Sequence, residues 1–131
     1  MEETGRHHPT YIMKNINISS RNLINSNGNP TPNQIEIRII GETEDGKKIN
    51  IKQFNSYDKK ILLIDYTGEN PSIAIDAKAF DYSVTTSKYL NIFLRNNYLN
   101  PEDIKKIYKV GSGKLTTKYN TYNIIIMDLN K

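Results

Sequence analysis

Cysteine and tryptophan are both missing from the chain. Without cysteine there is no disulfide, no thiolate nucleophile and no cysteine-ligated zinc or iron–sulfur centre, and the compartment this suggests is the cytoplasm. Histidine is scarce: His7 and His8 sit side by side in the polar stretch "MEETGRHHPTY", which has no periodicity and reads as a flexible tail over residues 1–11. Adjacent histidines on such a tail make a poor metal site, so neither a native metal nor a cofactor is expected. Met13 offers an alternative start, with the residues before it as an upstream extension. No apolar run approaches the roughly 18–20 residues of a membrane span, and the N-terminal stretch lacks the apolar core of a secretion signal. A soluble protein with no membrane partner is the expectation. Hydrophobic residues are only 37% of the 131, which predicts a thin core in one domain over residues 12–131.

What the chain does have is positive charge in one place. The net charge is +4, yet residues 1–85 hold ten basic against eleven acidic side chains. The excess lies in residues 86–118, where Lys88, Arg95, Lys105, Lys106, Lys109, Lys114 and Lys118 face only Glu102 and Asp103. A local excess of this kind is the electrostatic footprint of a polyanion partner, although a solvated helix face gives the same pattern.

Periodicity places that window on helices. Upstream, "YIMKNINIS" alternates as a short or edge strand, and "SSRNLINSNGNPTPN" reads as a long loop because Ser, Asn, Gly and Pro crowd it. Ile35, Ile37 and Ile39, then Asp45-Gly46, then Ile49 and Ile51 spell a β-hairpin with a wide connection over residues 41–47. "ILLIDY" and "SIAID", separated by "TGENP", give a second hairpin and extend the first into a four-stranded antiparallel meander. Tyr89, Leu90, Phe93 and Leu94 mark one face of a helix. In "YLNPEDIKKIYKVGSG" every signal agrees on a second: Asn100 as cap, Pro101 at the first position, acids in the first turn, lysines later and Gly111 as terminator. "LTTKYNTYNIIIMDL" reads as a terminal strand returning to the sheet. The predicted fold is α+β: an antiparallel sheet of about five strands, two hairpins plus the C-terminal strand, covered on one face by two helices.

The chemistry-bearing residues are few. Asp65, Asp76 and Asp81 could converge on a divalent ion, but aspartates at strand ends more commonly start turns. Ser83, Thr85, Thr86 and Ser87 have no base beside them except Lys88, so a nucleophilic hydroxyl is not expected. "GETEDGKK" and "GSGK" contain Gly-Lys pairs, but neither follows a strand and opens a helix as a phosphate loop does. No enzyme is predicted. The hydroxyl run nevertheless exceeds what one helix cap needs, and Ser/Thr hydroxyls, free N–H groups and a lysine are the groups that contact phosphates.

The words "FNSYDKKILLID", "SIAIDAKAFDYSVTTSKYLNIFL" and "LNPEDIKKIYKVGSGKL" resemble a family of small proteins of phages and plasmids of Gram-positive bacteria, with Asp81-Tyr82-Ser83, residues 85–89 and Phe93-Leu94 the most specific part. The similarity covers about residues 34–115, and the long 41–47 connection and the N-terminal extension depart from it. No activity is established for that family, so the resemblance implies a mobile-element accessory protein and no catalytic residues. Three functions compete on this basis. The first is DNA or RNA binding through Ser83, Thr85, Thr86, Ser87, Lys88, Arg95, Lys105, Lys106, Lys109 and Lys114, with exposed tyrosines among Tyr89, Tyr98, Tyr108 and Tyr119 stacking on unpaired bases. The second is an inhibitor of a host defence or host enzyme acting by protein–protein binding, for which the acidic residues Glu36, Glu42, Glu44 and Asp45 are the candidates. The third is a small structural protein of a virion or plasmid.

Overall fold

The structure, a computed structural model, describes residues 15–131. The tail over 1–11, His7-His8 and the opening of the strand that starts at Tyr11 lie outside the described residues. In chain order the elements are β1 (Asn17–Ile24), β2 (Pro30–Glu42), β3 (Lys48–Ser56), β4 (Lys59–Asp65), β5 (Ser72–Asp76), α1 (Val84–Asn96), α2 (Pro101–Val110), β6 (Ser112–Thr116) and β7 (Thr121–Met127). The strands form one seven-stranded sheet in the order β1-β2-β3-β4-β5-β7-β6. The pairing of β5 with β7 is parallel and every other pairing is antiparallel. Parallel neighbours need a long crossover, and α1, α2 and β6 supply it.

The α+β class and the β2–β5 meander agree with the sequence reading, while seven strands replace the expected five. Two segments account for the difference. The long loop expected over residues 19–33 is instead most of β1, a tight turn and the start of β2. The Asn25 carboxamide oxygen accepts the N–H groups of Asn27 and Asn29 at 2.9 and 3.0 Å, and Gly28 takes the positive φ, +82°, that closes the turn. The single terminal strand is a hairpin, β6–β7. Its bend is organised by Thr117, whose hydroxyl accepts from the backbone of Tyr119 and Asn120. In both places polar residues are concentrated in four or five turn positions, and their side chains do the backbone's hydrogen bonding.

Local chemistry explains the remaining boundaries. Between β3 and β4 the two-residue turn Tyr57-Asp58 holds φ of +51° and +67°, the left-handed pair that a two-residue hairpin requires. At α1, Ser83 is extended and its Oγ accepts the Thr86 N–H at 3.0 Å. At α2, Asn100 accepts the Glu102 N–H, Pro101 occupies the first turn and Gly111 ends the helix at φ +110°, as the sequence predicts.

Both helices lie on one face, which the register establishes directly. Lys52, Ile64, Ile73, Ile124 and Gly113 are consecutive cross-strand partners in one row, and row neighbours point to the same side. Lys52 at one end of the row bonds to Asn97, just past α1. At the other end, a Cβ on Gly113 would meet Ile107 of α2 at 3.3 Å. Between these ends sits the core: Phe54, Ile61, Leu62, Ile64, Ile73, Ile75, Phe93, Leu94, Ile104 and Ile124 are all essentially inaccessible. Phe54 stacks on Phe93 at 5.8 Å between ring centres. Phe80 stacks on Tyr108 at 4.2 Å and joins α2 to the segment after β5. Each such buried side chain contributes roughly 1.5–3 kcal/mol.

Candidate nucleic-acid interface

At the start of α1 the fold divides the hydroxyl run. Ser83 is the cap, and Thr86 is fully buried, with its Oγ1 2.8 Å from the Ser56 hydroxyl and 3.0 Å from the Ser83 hydroxyl. These two side chains are occupied inside the protein. Thr85 and Lys88 are exposed and Ser87 is half-buried, so a smaller set than the sequence suggested faces outward. The Lys88 ammonium lies 5.5 Å from the Tyr89 ring centre, and the Tyr89 hydroxyl accepts from Thr31.

The cations of the helices occupy several stations. Lys88 and Arg95 are seven residues apart, hence on one side of α1 and separated by about 10 Å along its axis. Arg95 is exposed in the last turn, where a cation complements the helix dipole. Lys105 and Lys109 share a side of α2, and Lys106 and Lys109 are exposed. Lys114 is apart from the rest. Its neighbours Gly113 and Leu115 point toward the helices, so Lys114, paired with Asn123, points to the opposite face of the sheet. The structure therefore does not gather all ten predicted residues on one side.

What the fold does bring together is a pair of tyrosines 21 positions apart in the chain. Tyr98 and Tyr119 are 73% and 60% exposed, yet their ring centres are 5.3 Å apart, and the Lys118 ammonium is 5.8 Å from the Tyr119 ring centre. Tyr98 sits where α1 ends. The Leu99 N–H donates to the Leu94 carbonyl at 2.9 Å and the Tyr98 N–H to the Arg95 carbonyl at 3.1 Å. These two bonds form a Schellman motif, and Leu99 packs beside Leu94 in the core. The motif forces the residue after the cap into the left-handed region, which glycine or asparagine normally fills. Here it is Tyr98, at φ +61°. A large, mostly exposed aromatic residue is held in an unfavourable conformation, and strain of this kind concentrates at functional positions.

A chain of hydrogen bonds and ring contacts links the tyrosine pair to a polar groove. Beside Tyr98, the Asn97 carboxamide accepts from the Lys52 ammonium at 3.0 Å and donates to the Phe93 carbonyl at 2.8 Å. Lys52 lies 6.0 Å from the Tyr66 ring centre, Tyr66 meets Tyr122 edge-on at 6.3 Å, and the Tyr122 hydroxyl accepts from Asn120, next to Tyr119. Burial, aided by the Tyr122 hydroxyl, pushes the Tyr66 phenol well above its ordinary value, so Tyr66 stays neutral. On the other side of Lys52 opens a pocket of about 390 Å³ lined by Ser19, Ser20, Arg21, Glu36, Arg38 and Lys52. Glu36 is nearly buried, and among the described residues its ion pair is with the exposed Arg21 at 3.6 Å. Arg38 and Lys52 have no ion-pair partner among the described residues. Among the described residues, three cations against one carboxylate leave the groove positive.

These groove residues were missed in the sequence because a running charge count over residues 1–85 cancels. Cross-strand pairing resolves the cancellation: Ser19, Arg38 and Lys52 form one row, with Arg21 and Glu36 in the next. Guanidinium groups on a groove wall suit phosphate oxygens, and exposed rings suit base faces.

Of the three aspartates, Asp81 is exposed and the other two hold backbone turns. Asp65 accepts the Thr67 N–H at 2.8 Å. Asp76 is 2% exposed and accepts three backbone N–H groups, from Lys78 and Ala79 on Oδ2 and from Leu129 on Oδ1. Burial pushes its carboxyl pKa up, but those donors, with Asn130, outweigh burial and hold it below the usual carboxylate range. Among the described residues no cluster of His, Asp or Glu could hold a metal ion, and no helix is long and apolar enough to cross a membrane. Comparisons with protein families, with curated proteins and with solved structures found no match, so the face built by Tyr98, Tyr119, Lys118, Lys52, Arg38 and Arg21 is read from its geometry.

Proposed function

We propose that the chain is a non-enzymatic, single-strand nucleic-acid-binding protein, an accessory of a phage or other mobile element. The observation that carries this reading is the exposed Tyr98–Tyr119 pair, with Lys118 against one ring and Arg95 in the adjoining helix turn. Unpaired bases stack on the rings. The backbone then runs from Arg95 and Lys118 past Lys52 into the groove of Arg38 and Arg21. Stacking of this kind is sequence-tolerant and accepts DNA or RNA. Thr85, Ser87 and Lys88, at the far end of α1, and Lys105, Lys106 and Lys109 on α2 add long-range attraction. The resemblance of the α1 words to small phage and plasmid proteins supports the mobile-element part.

A protein-inhibitor role finds less support. Of its acidic candidates, Glu36 is buried beside Arg21 and Glu42 pairs with Lys48 at 3.3 Å, which leaves only Glu44 and Asp45 at the hairpin tip.

The test is fluorescence anisotropy with labelled oligothymidine, oligouridine and a duplex of equal length over a salt series. Binding of the single strands should exceed that of the duplex and should weaken steeply with salt. Absence of binding to any of the three at low salt would remove the proposal.

A further inference from the structure

The sheet face away from the helices has no described element on it, and its chemistry can be read row by row from the register. One row runs Ile18, Ile39, Ile51, Asp65, Ser72, Asn123, Lys114. The middle row runs Ser20, Ile37, Gln53, Leu63, Ala74, Ile125, Ser112, and the third includes Asn22, Ile35, Asn55 and Lys60. The middle row holds no charge, and its apolar members reach from β2 to β7. Ile18 and Ile125 remain 64% and 48% exposed and Ile37, Ile39, Ile51 and Leu63 are half-buried, while Gln53, Ala74 and, one row beyond Ile51, Ile49 are buried. The helix-covered face already contains the core, so this second apolar surface is not needed to fold a single copy.

We infer that this face is a homodimer interface, occupied by the same face of a second copy of the chain. Size supports this occupant. Seven strands about 4.8 Å apart and about five residues at ~3.3 Å each give roughly 30 by 17 Å. That is roughly 500 Å² in projection and more along the pleat, approaching the ~800 Å² per partner of a standard stable interface. Charge supports it too. A two-fold axis laid along the middle row stacks Ile37, Leu63 and Ile125 on their own copies and exchanges the two outer rows, which brings Asp65 of each copy toward Lys60 of the other. The contact is isologous and closed. Both Tyr98–Tyr119 faces then point outward, and dimer formation does not depend on the nucleic-acid reading.

Sedimentation equilibrium of the full chain over a concentration series tests it. The expected mass is that of a dimer, with Ile125→Lys and, separately, Ile18→Lys at the sheet edge raising the dimer Kd at least tenfold while circular dichroism stays that of the parent. Asp65→Lys alone should also weaken the dimer, and adding Lys60→Asp should restore it. A parent that is monomeric at every concentration overturns the inference, and so does a folded Ile125→Lys or Ile18→Lys protein with unchanged Kd. Failure of the charge swap to restore association overturns the two-fold arrangement proposed for the contact.

Discussion

Replacing Tyr98 with glycine separates the cost of its backbone from the use of its ring. The left-handed conformation costs a side-chain-bearing residue about 1–2 kcal/mol, and glycine removes that penalty at φ +61°. Against this, glycine's freedom in the unfolded chain takes back about 0.5–1 kcal/mol. Loss of the contact with Tyr119 takes back about 0.5 kcal/mol more, at the low end for ring pairs because both rings are mostly exposed. The terms nearly cancel, so Tyr98→Gly should unfold within about 1 kcal/mol of the parent, a shift of no more than ~5 °C in Tm. Binding should respond quite differently. A ring that stacks on a base contributes about 1–3 kcal/mol, so the affinity for oligothymidine should fall roughly 5- to 150-fold. Thermal unfolding by circular dichroism gives the first quantity and anisotropy titration the second. A variant of parental stability that binds as tightly as the parent would refute the assignment of Tyr98 to the interface. A variant that loses several kcal/mol would refute the account of its strain.

Two further outcomes concern groups that serve the fold. Thr86→Val keeps the shape of the side chain but leaves the buried Ser56 hydroxyl without its 2.8 Å partner. It should cost about 1–3 kcal/mol in urea unfolding and leave oligonucleotide affinity unchanged; a large loss of affinity in the folded variant would return Thr86 to the binding surface. Asp76→Asn places an amide among three N–H donors and should destabilise by about 2–3 kcal/mol near neutral pH. Because the folded-state pKa of Asp76 is depressed, its stabilisation is complete above the unfolded value of about 3.9 and is lost as pH falls through the folded value. The gap between parent and Asp76→Asn should therefore close in acid, and urea titrations in which it stays constant with pH would contradict this.

Helix α2 was legible to the residue, because Asn100, Pro101, Glu102 and Gly111 each act on their own stretch of backbone and owe nothing to distant partners. The β2–β5 meander was legible for a related reason, since isoleucines at every second position have only one way to share a face. β1 was legible only at its start, where "YIMKNINIS" marks an edge strand as far as Ser19; beyond it Leu23 is the only buried residue of β1, and its Asn and Ser neighbours imitate a loop. β6 was hidden because Gly113 sits where Ile107 leaves little room for a side chain, and small residues there look like a turn. The proposed binding face was legible only in part. Arg95 and Tyr98 lie in the basic window, but Arg38 and Lys52 reach the groove through strand pairing that no local pattern reveals. One local clue was available: a tyrosine at the position after a helix cap, where glycine is the usual residue.

The parallel partnership of β5 and β7 has a consequence for biosynthesis. β7 is made after every other strand, yet it lies inside the sheet, and β6 reaches β5 only through it. A nascent chain can assemble the meander early, but the bare side of β5 must wait until Thr121–Met127 has left the ribosome. Contacts that close so large a segment of chain form slowly. Premature termination just before Thr121 would release a protein with an unsatisfied strand edge and no place for β6, a species expected to aggregate instead of persisting as a smaller working domain.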